Sequence, residues 1–299
     1  MRHYAFVTLD VFTDTPLSGN QLAVVLDARG LSDAEMLAVT REFNYSESTF
    51  LLAPETPDTD ARVRIFTPGG EVPFAGHPTL GTAIAIARAR ALAAGRLVLG
   101  ETVGPVPVEV HGVTARGGSG RFSVAQLPDE RDAPSPAAMA EVLSLGAADV
   151  LDGDYAPRSV SCGLPWLLVP LATVDAVSRV RIDHAAWARH CAGRWASEPF
   201  VFAMTPTGSA VDVQARAFCP GLSVPEDPAT GSANAALAGF LAARTPRATG
   251  TLSWTVAQGV EMQRPSRLVI EADKATGVIT AVRVGGDAVV VAEGTLTLP

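Results

Sequence analysis

Two short segments hold the residues best able to do chemistry, and they are copies of one another. The first reads Arg64-Ile-Phe-Thr-Pro-Gly-Gly-Glu-Val-Pro73 and runs on to His77-Pro-Thr-Leu-Gly-Thr-Ala83. The second reads Arg216-Ala-Phe-Cys-Pro-Gly-Leu-Ser-Val-Pro225 and continues through Asp227-Pro-Ala-Thr-Gly-Ser-Ala233. The arginines stand 152 positions apart (216 − 64) and the His77 and Asp227 positions 150 apart (227 − 77), close to half of the 299 residues. A repeat at that period predicts two similar halves facing each other. The copies differ by an imidazole in one and a carboxylate in the other, and proton chemistry is expected there.

In each copy the segment leads into a helix with proline just inside the predicted first turn, Pro78 and Pro228, so His77 and Asp227 fall at the predicted N-cap. Aspartate is among the best N-caps, and a structural cap by itself accounts for Asp227; histidine is a poor cap, which weakens that reading for His77. Gly76 and Asn20 join the candidates for binding a ligand, together with Gly81 and Gly231. Glycine in a first helical turn costs roughly 1 kcal/mol relative to alanine but lets a ligand approach backbone N–H groups. With Thr82 and Ser232 beside them, the two entrances offer N–H groups, hydroxyls and the positive end of a helix dipole, which suits a carboxylate. A third element is Asn44-Tyr-Ser-Glu-Ser-Thr-Phe50, where the lone acid Glu47 opens an apolar strand. Taken alone it is a surface charge. Brought to His77 and Asp227 at the edge of an apolar cleft, its pKa would rise towards neutrality, and it could both remove and return protons.

The elements that must position these groups are short runs rich in Val, Leu, Ile, Phe and Thr, punctuated by Gly, Pro and Asp. Strands are predicted at Phe6–Phe12, Gln21–Leu26, Ser48–Leu52 and Ala61–Phe66, then at Ser159–Cys162, Trp166–Pro170, Phe200–Met204, Asp212–Phe218, Leu252–Ala257 and Arg267–Glu271. Val278–Glu293 reads as a hairpin turning at Gly285-Gly286-Asp287. Ser32–Arg41, Ala137–Leu145 and Asp183–Cys191 read as superficial amphipathic helices, whereas Leu80–Ala93 and Ala229–Ala243 are apolar on nearly every side and so read as buried. Few strands alternate with long helices, which disfavours a doubly wound parallel sheet. The expected class is α+β: two pseudo-symmetric domains, each an antiparallel sheet or barrel wrapped around a central helix. The boundary is placed in Arg116-Gly-Gly-Ser-Gly120, giving domains 1–116 and 117–286, with 287–299 returning to the first.

A net charge of −8 without any Lys/Arg-rich run argues against nucleic acid or an anionic membrane as partner, so an anionic substrate must be held by local donors. No stretch has the length of a membrane span, and the first residues lack a secretory pattern. Cys162, Cys191 and Cys219 are an odd, widely spaced set that fits a reducing compartment, and the expected location is the cytoplasm. The five histidines lack metal-ligand spacing, so no metal is expected. Gly117-Gly-Ser-Gly120 is no nucleotide fingerprint, Cys219 reads as a packed small residue and Trp166 and Trp254 as core.

Taken together, the blocks Asp10-Val-Phe12, Gly19-Asn-Gln-Leu-Ala-Val-Val25, Ser46-Glu-Ser-Thr-Phe50, Arg64-Ile-Phe-Thr-Pro68, Pro73-Phe-Ala-Gly-His-Pro-Thr-Leu-Gly-Thr-Ala83, Cys162-Gly-Leu-Pro165, Glu226-Asp-Pro-Ala-Thr-Gly-Ser-Ala233, Gln258-Gly259 and Arg264-Pro-Ser266 resemble the PhzF-like isomerases of phenazine biosynthesis over almost the whole chain. The resemblance implies a diaminopimelate epimerase-like fold with the site between its domains, and a homodimer. It implies Glu47 as proton shuttle, with His77, Asp227 and Ser232 as its acid/base and hydrogen-bonding partners. It also implies cofactor-free isomerisation of trans-2,3-dihydro-3-hydroxyanthranilate. Related racemases use two cysteines at the helix entrances; here those places hold His77 and Asp227, which makes cysteine-dependent racemisation doubtful. Cys219 departs from the small residue more usual in its block. An epimerase or dehydratase acting on a small amino or hydroxy acid, and a binding protein without turnover, stay open as alternatives.

Overall fold

The computed structural model describes residues 1–222 and 224–299; Ser223, inside the second copy of the repeat, lies outside the described residues. The chain divides into two compact units, one made of Met1–Ser123 with Gly285–Pro299 and the other of Val124–Val284.

The first unit contains β1 (Arg2–Val11), β2 (Asn20–Val25), α1 (Asp33–Phe43), β3 (Glu47–Leu52), β4 (Ala61–Thr67), β5 (Gly70–Val72), α2 (Gly76–Ala89), β6 (Gly95–Glu101), β7 (Gly104–Thr114) and β8 (Gly117–Ser123). β1 pairs antiparallel with β2, which runs parallel to β3; β3 pairs antiparallel with β4, which runs parallel to β6 and carries β5 as a short hairpin arm. β6, β7 and β8 form an antiparallel meander. The ring closes through the last strand of the chain, which pairs with β8 on one side and with β1 on the other. A closed barrel leaves no open edge, and its interior must be filled. The filler is α2, whose Leu80, Ala83, Ile84 and Ala87 are fully buried and which packs against β1, β2, β3, β6, β7 and β8. Small residues make this fit possible: a Cβ at Gly120 would stand 2.8 Å from Leu80 Cδ1. Outside the barrel, α1 lays Met36 and Val39 on Phe50 and Phe66. It starts with a reciprocal Ser32/Glu35 capping box, in which each side chain satisfies the other's backbone N–H.

The second unit contains β9 (Asp129–Asp132), α3 (Pro136–Leu143), β10 (Arg158–Ser161), β11 (Pro165–Pro170), α4 (Val174–Arg179), α5 (His184–His190), β12 (Pro199–Met204), β13 (Val213–Cys219), β14 (Val224–Asp227), α6 (Gly231–Arg244), β15 (Gly250–Gln258) and β16 (Ser266–Ala275). β9, β10 and β11 pair antiparallel in sequence, β11 runs parallel to β12, β12 pairs antiparallel with β13, and β13 runs parallel to β15, which pairs with β16. α6 packs against β10, β11, β15 and β16 through Ala233, Leu237, Ala238 and Phe240, all fully buried. On the other face of the sheet Leu167, Val169, Val201 and Phe218 meet Met139, Val142 and Leu143 of α3 and Val177 of α4. One strand therefore feeds two cores by alternation, as a period of two requires.

The duplicated Arg-x-Phe triplets take the same local form in both units. Arg64 lies over the Phe66 ring, 5.1 Å from its centroid, and Arg216 over Phe218 at 4.7 Å. Arg216 is buried; its Nε and Nη2 each donate to Glu226 at 2.8 Å, and its Nη1 donates to the Val177 and Val180 carbonyls at the end of α4.

Several expectations are corrected. The glycine run Gly117–Gly120 is part of β8, paired with β7, and not a linker. The predicted hairpin at Gly285-Gly286-Asp287 does not form, because β17 (Val278–Leu298) runs straight through. Gly285 is there for close approach: a Cβ on it would stand 2.8 Å from the Gly120 carbonyl oxygen. The turn lies earlier, at Thr276-Gly277, where both residues have positive φ. Neither His77 nor Asp227 is an N-cap; Ala75 and Thr230 hold those positions. Among the described residues no helix is long and apolar enough to cross a membrane.

Candidate active site

The first unit brings together Glu47 and His77. Glu47 is the first residue of β3 and His77 the second of α2; Glu47 Oε2 lies 3.6 Å from His77 Nε2, with the Glu47 side chain 19% exposed and that of His77 5%. At that separation the pair is not directly hydrogen-bonded. Burial pushes the Glu47 carboxyl above its usual range, against a hydrogen bond from Ser46 that holds it down. The Ser46 hydroxyl also lies 3.2 Å from Oδ1 of the buried Asn20.

A hydroxyl staple joins the two elements that carry this pair. Thr49, on the same face of β3 as Glu47, and Thr82, one and a half turns beyond His77, are both fully buried with their Oγ1 atoms 2.8 Å apart. Thr82 therefore ties helix to strand. Gly81 likewise faces the sheet, since a Cβ would stand 2.6 Å from Leu22 Cδ2 and 2.7 Å from Val11 Cγ2. Both are expected at a ligand from the sequence; in the structure each also has a packing role. The reason is a shift of helix start: α2 begins at Gly76, ahead of the repeated His77-Pro78, whereas α6 begins at Gly231, after Asp227-Pro228. By helix position it is Ser232, second residue of α6, that corresponds to His77.

Beneath the same helix start lies a carboxyl that sequence reasoning missed. Glu101, at the end of β6, is 7% exposed, and its Oε1 lies 2.7 Å from Thr79 Oγ1, which is also 2.8 Å from the Ala75 carbonyl oxygen. The Thr79 hydroxyl has one proton for these two acceptors, Ala75 O and Glu101 Oε1. Burial pushes this carboxyl up to about 8.

In the second unit Asp227 ends β14, and its Oδ2 accepts a short hydrogen bond from the Thr230 hydroxyl. Ser232 Oγ accepts from the indole Nε1 of buried Trp166 at 2.9 Å; since indole only donates, the serine proton is left to point elsewhere. Trp166 thus does more than fill core. Gly231 is buried at the helix start, as Gly76 is in α2. Cys219 is buried at the end of β13, and Cys162 is a buried thiol pushed up to about 12 by desolvation, which makes it inert. Thr49, Thr230 and Glu101 carry no signal in one sequence, being ordinary strand or turn residues until their partners are known.

This geometry of buried carboxyls can be set beside known proteins. The chain matches the family described as phenazine biosynthesis-like protein over residues 9–294. It is 39% identical over 298 residues to an uncharacterized isomerase of Mesorhizobium japonicum, covering 97% of this chain and 98% of that protein. To the trans-2,3-dihydro-3-hydroxyanthranilate isomerase of Pseudomonas aeruginosa it is 36% identical over 292 residues, with 97% and 98% covered. The crystal structure of a PhzF-family phenazine biosynthesis protein from Bacillus anthracis superposes over 100% of both chains with a TM-score of 0.87 at 24% identity, which shows the shared fold. The chain is an isomerase. It belongs to the PhzF-like phenazine biosynthesis family.

Proposed function

We propose that this isomerase shifts a proton within a small unsaturated carboxylic acid without a cofactor, and that Glu47 is the group that removes and returns it. The observation carrying this reading is the buried Glu47 carboxyl, raised in proton affinity and 3.6 Å from His77. A carboxyl raised towards neutrality can serve as both base and acid in one turnover. His77 supports it from the start of α2, and Asp227 and Ser232 keep the acid/base and hydrogen-bonding roles that the family resemblance implies. Positioned acid–base catalysis contributes on the order of 10² to 10⁴ in rate, and exclusion of water supplies more. The substrate proposed is trans-2,3-dihydro-3-hydroxyanthranilate, because the Pseudomonas aeruginosa relative is named for its isomerisation. We read the two units as copies of one ancestral half, in line with their duplicated strand and buried helix.

The test is incubation with that compound in deuterated buffer, followed by proton NMR for wild type and Glu47→Gln. Conversion with deuterium incorporation in the wild type and none in the variant, which still binds, is expected. Turnover retained by Glu47→Gln would remove the assigned role, and no conversion by wild type would move the substrate elsewhere.

A further inference from the structure

Gln258 closes β15 and is fully buried, with both side-chain polar atoms engaged by the Asp227–Thr230 turn and by Asn234 of α6. Its Oε1 accepts from the Thr230 backbone N–H at 3.2 Å and from Asn234 Nδ2 at 2.9 Å; its Nε2 donates to the Asp227 carbonyl at 2.8 Å and to Thr230 Oγ1 at 3.0 Å. The amide orientation is fixed by these neighbours. A backbone N–H only donates, so the atom facing Thr230 N must be oxygen, and a backbone carbonyl only accepts, so the atom facing the Asp227 carbonyl must be nitrogen. Asn234, itself fully buried, also donates to the Thr230 carbonyl at 3.0 Å. Next in the chain, Gly259 has φ +74, and a Cβ there would stand 2.6 Å from the Pro228 carbonyl oxygen. Residues 258 and 259 lie directly on the Asp227–Thr230 turn.

A direction of proton donation follows. Thr230 Oγ1 receives a proton from Gln258 Nε2, so its own single hydroxyl proton goes to Asp227 Oδ2. We propose that Gln258 is a positioning residue which, through the Thr230 hydroxyl, fixes Asp227 Oδ2 as a hydrogen acceptor and so favours the carboxylate form. The inference deepens the functional reading given above and rests on it for the meaning of Asp227. On that reading the two acids have different environments: burial raises the proton affinity of Glu47, while Asp227 Oδ2 accepts from the Thr230 hydroxyl. Gln258 touches no reacting atom in this scheme; its effect passes through Thr230.

The experiment titrates the Asp227 carboxyl carbon by ¹³C NMR, assigned by difference with Asp227→Asn, in wild type, Thr230→Val, Thr230→Ser and Gln258→Met. Because no substrate enters, it is independent of the reaction assignment. Thr230→Val, nearly isosteric and lacking the hydroxyl, is expected to raise the titration midpoint by about one pH unit. Thr230→Ser is expected to restore it, and Gln258→Met to raise it part of the way, since the freed hydroxyl can rotate. If folded Thr230→Val titrates with the wild type, the proposal is overturned. A failure of Gln258→Met to fold leaves the threonine pair to decide. If the midpoints move as expected while wild type converts no dihydrohydroxyanthranilate, the relay stands and only the substrate assignment falls.

Discussion

Replacing Glu101 with glutamine should make the first unit more stable above neutral pH and leave it nearly unchanged in mild acid. Burial raises this carboxyl from 4.5 to about 8 in the folded chain. Between those values the folded state holds a proton that the unfolded chain has released, so the contribution of Glu101 is fully present below about 4.5 and is lost as pH rises through 8. A difference of about 3.5 pH units at 1.36 kcal/mol each gives a loss of up to about 5 kcal/mol. Glutamine has the same shape and cannot ionise, and its amide oxygen can accept from Thr79 Oγ1 as the carboxyl does. Urea unfolding of wild type and Glu101→Gln from about pH 5 to pH 9 provides the assay, because the variant cancels every other titrating group in the difference. The stability of the variant relative to wild type should rise by several kcal/mol across that range. Parallel curves would show that Glu101 ionises in the folded chain as freely as in the unfolded one, and the argument from burial would fail.

Other sites give independent outcomes. Gly81→Ala places a methyl 2.6 Å from Leu22 and 2.7 Å from Val11, and overpacking of that kind should cost about 1–3 kcal/mol in urea unfolding. Thr82→Val strips Thr49 of its buried partner at a cost of about 1–3 kcal/mol; turnover should fall as the Glu47–His77 spacing loosens, and Thr82→Ser should recover both. Arg216→Met leaves Glu226 charged, largely buried and without its bidentate partner, for an expected loss of about 3–5 kcal/mol measured by thermal or urea unfolding.

The buried helices were legible because alanine, leucine and isoleucine surround α2 and α6 on all sides, and no surface helix tolerates that. Most strands were legible from their alternation. β6 to β8 were not, since Gly95, Gly100, Gly104, Pro105, Pro107 and the Gly117–Gly120 run look like punctuation, whereas in the barrel Gly117, Gly118 and Gly120 stand where a Cβ would collide with neighbouring chain. For the site, Glu47 and His77 were singled out by type and position, and the structure sets them side by side. The helix starts were misread because Asp-Pro and His-Pro look alike as caps. What separates them is remote in sequence: Gln258 holds the Asp227 carbonyl and the Thr230 N–H ahead of α6.

The route of β17 bears on how the protein is made. The barrel of the first unit needs β17 between β8 and β1, yet that strand follows the entire second unit in the chain. During synthesis at about 5–20 residues per second, the first unit must wait with α2 in place and two unpaired strand edges until the second unit has been translated. Those edges are open to pairing with other chains for all of that interval. Closure by contacts this distant in sequence is a slow step. A ribosome stalled before residue 285 would leave a nearly complete chain whose N-terminal half is still an open sheet, a substrate for chaperones and proteases.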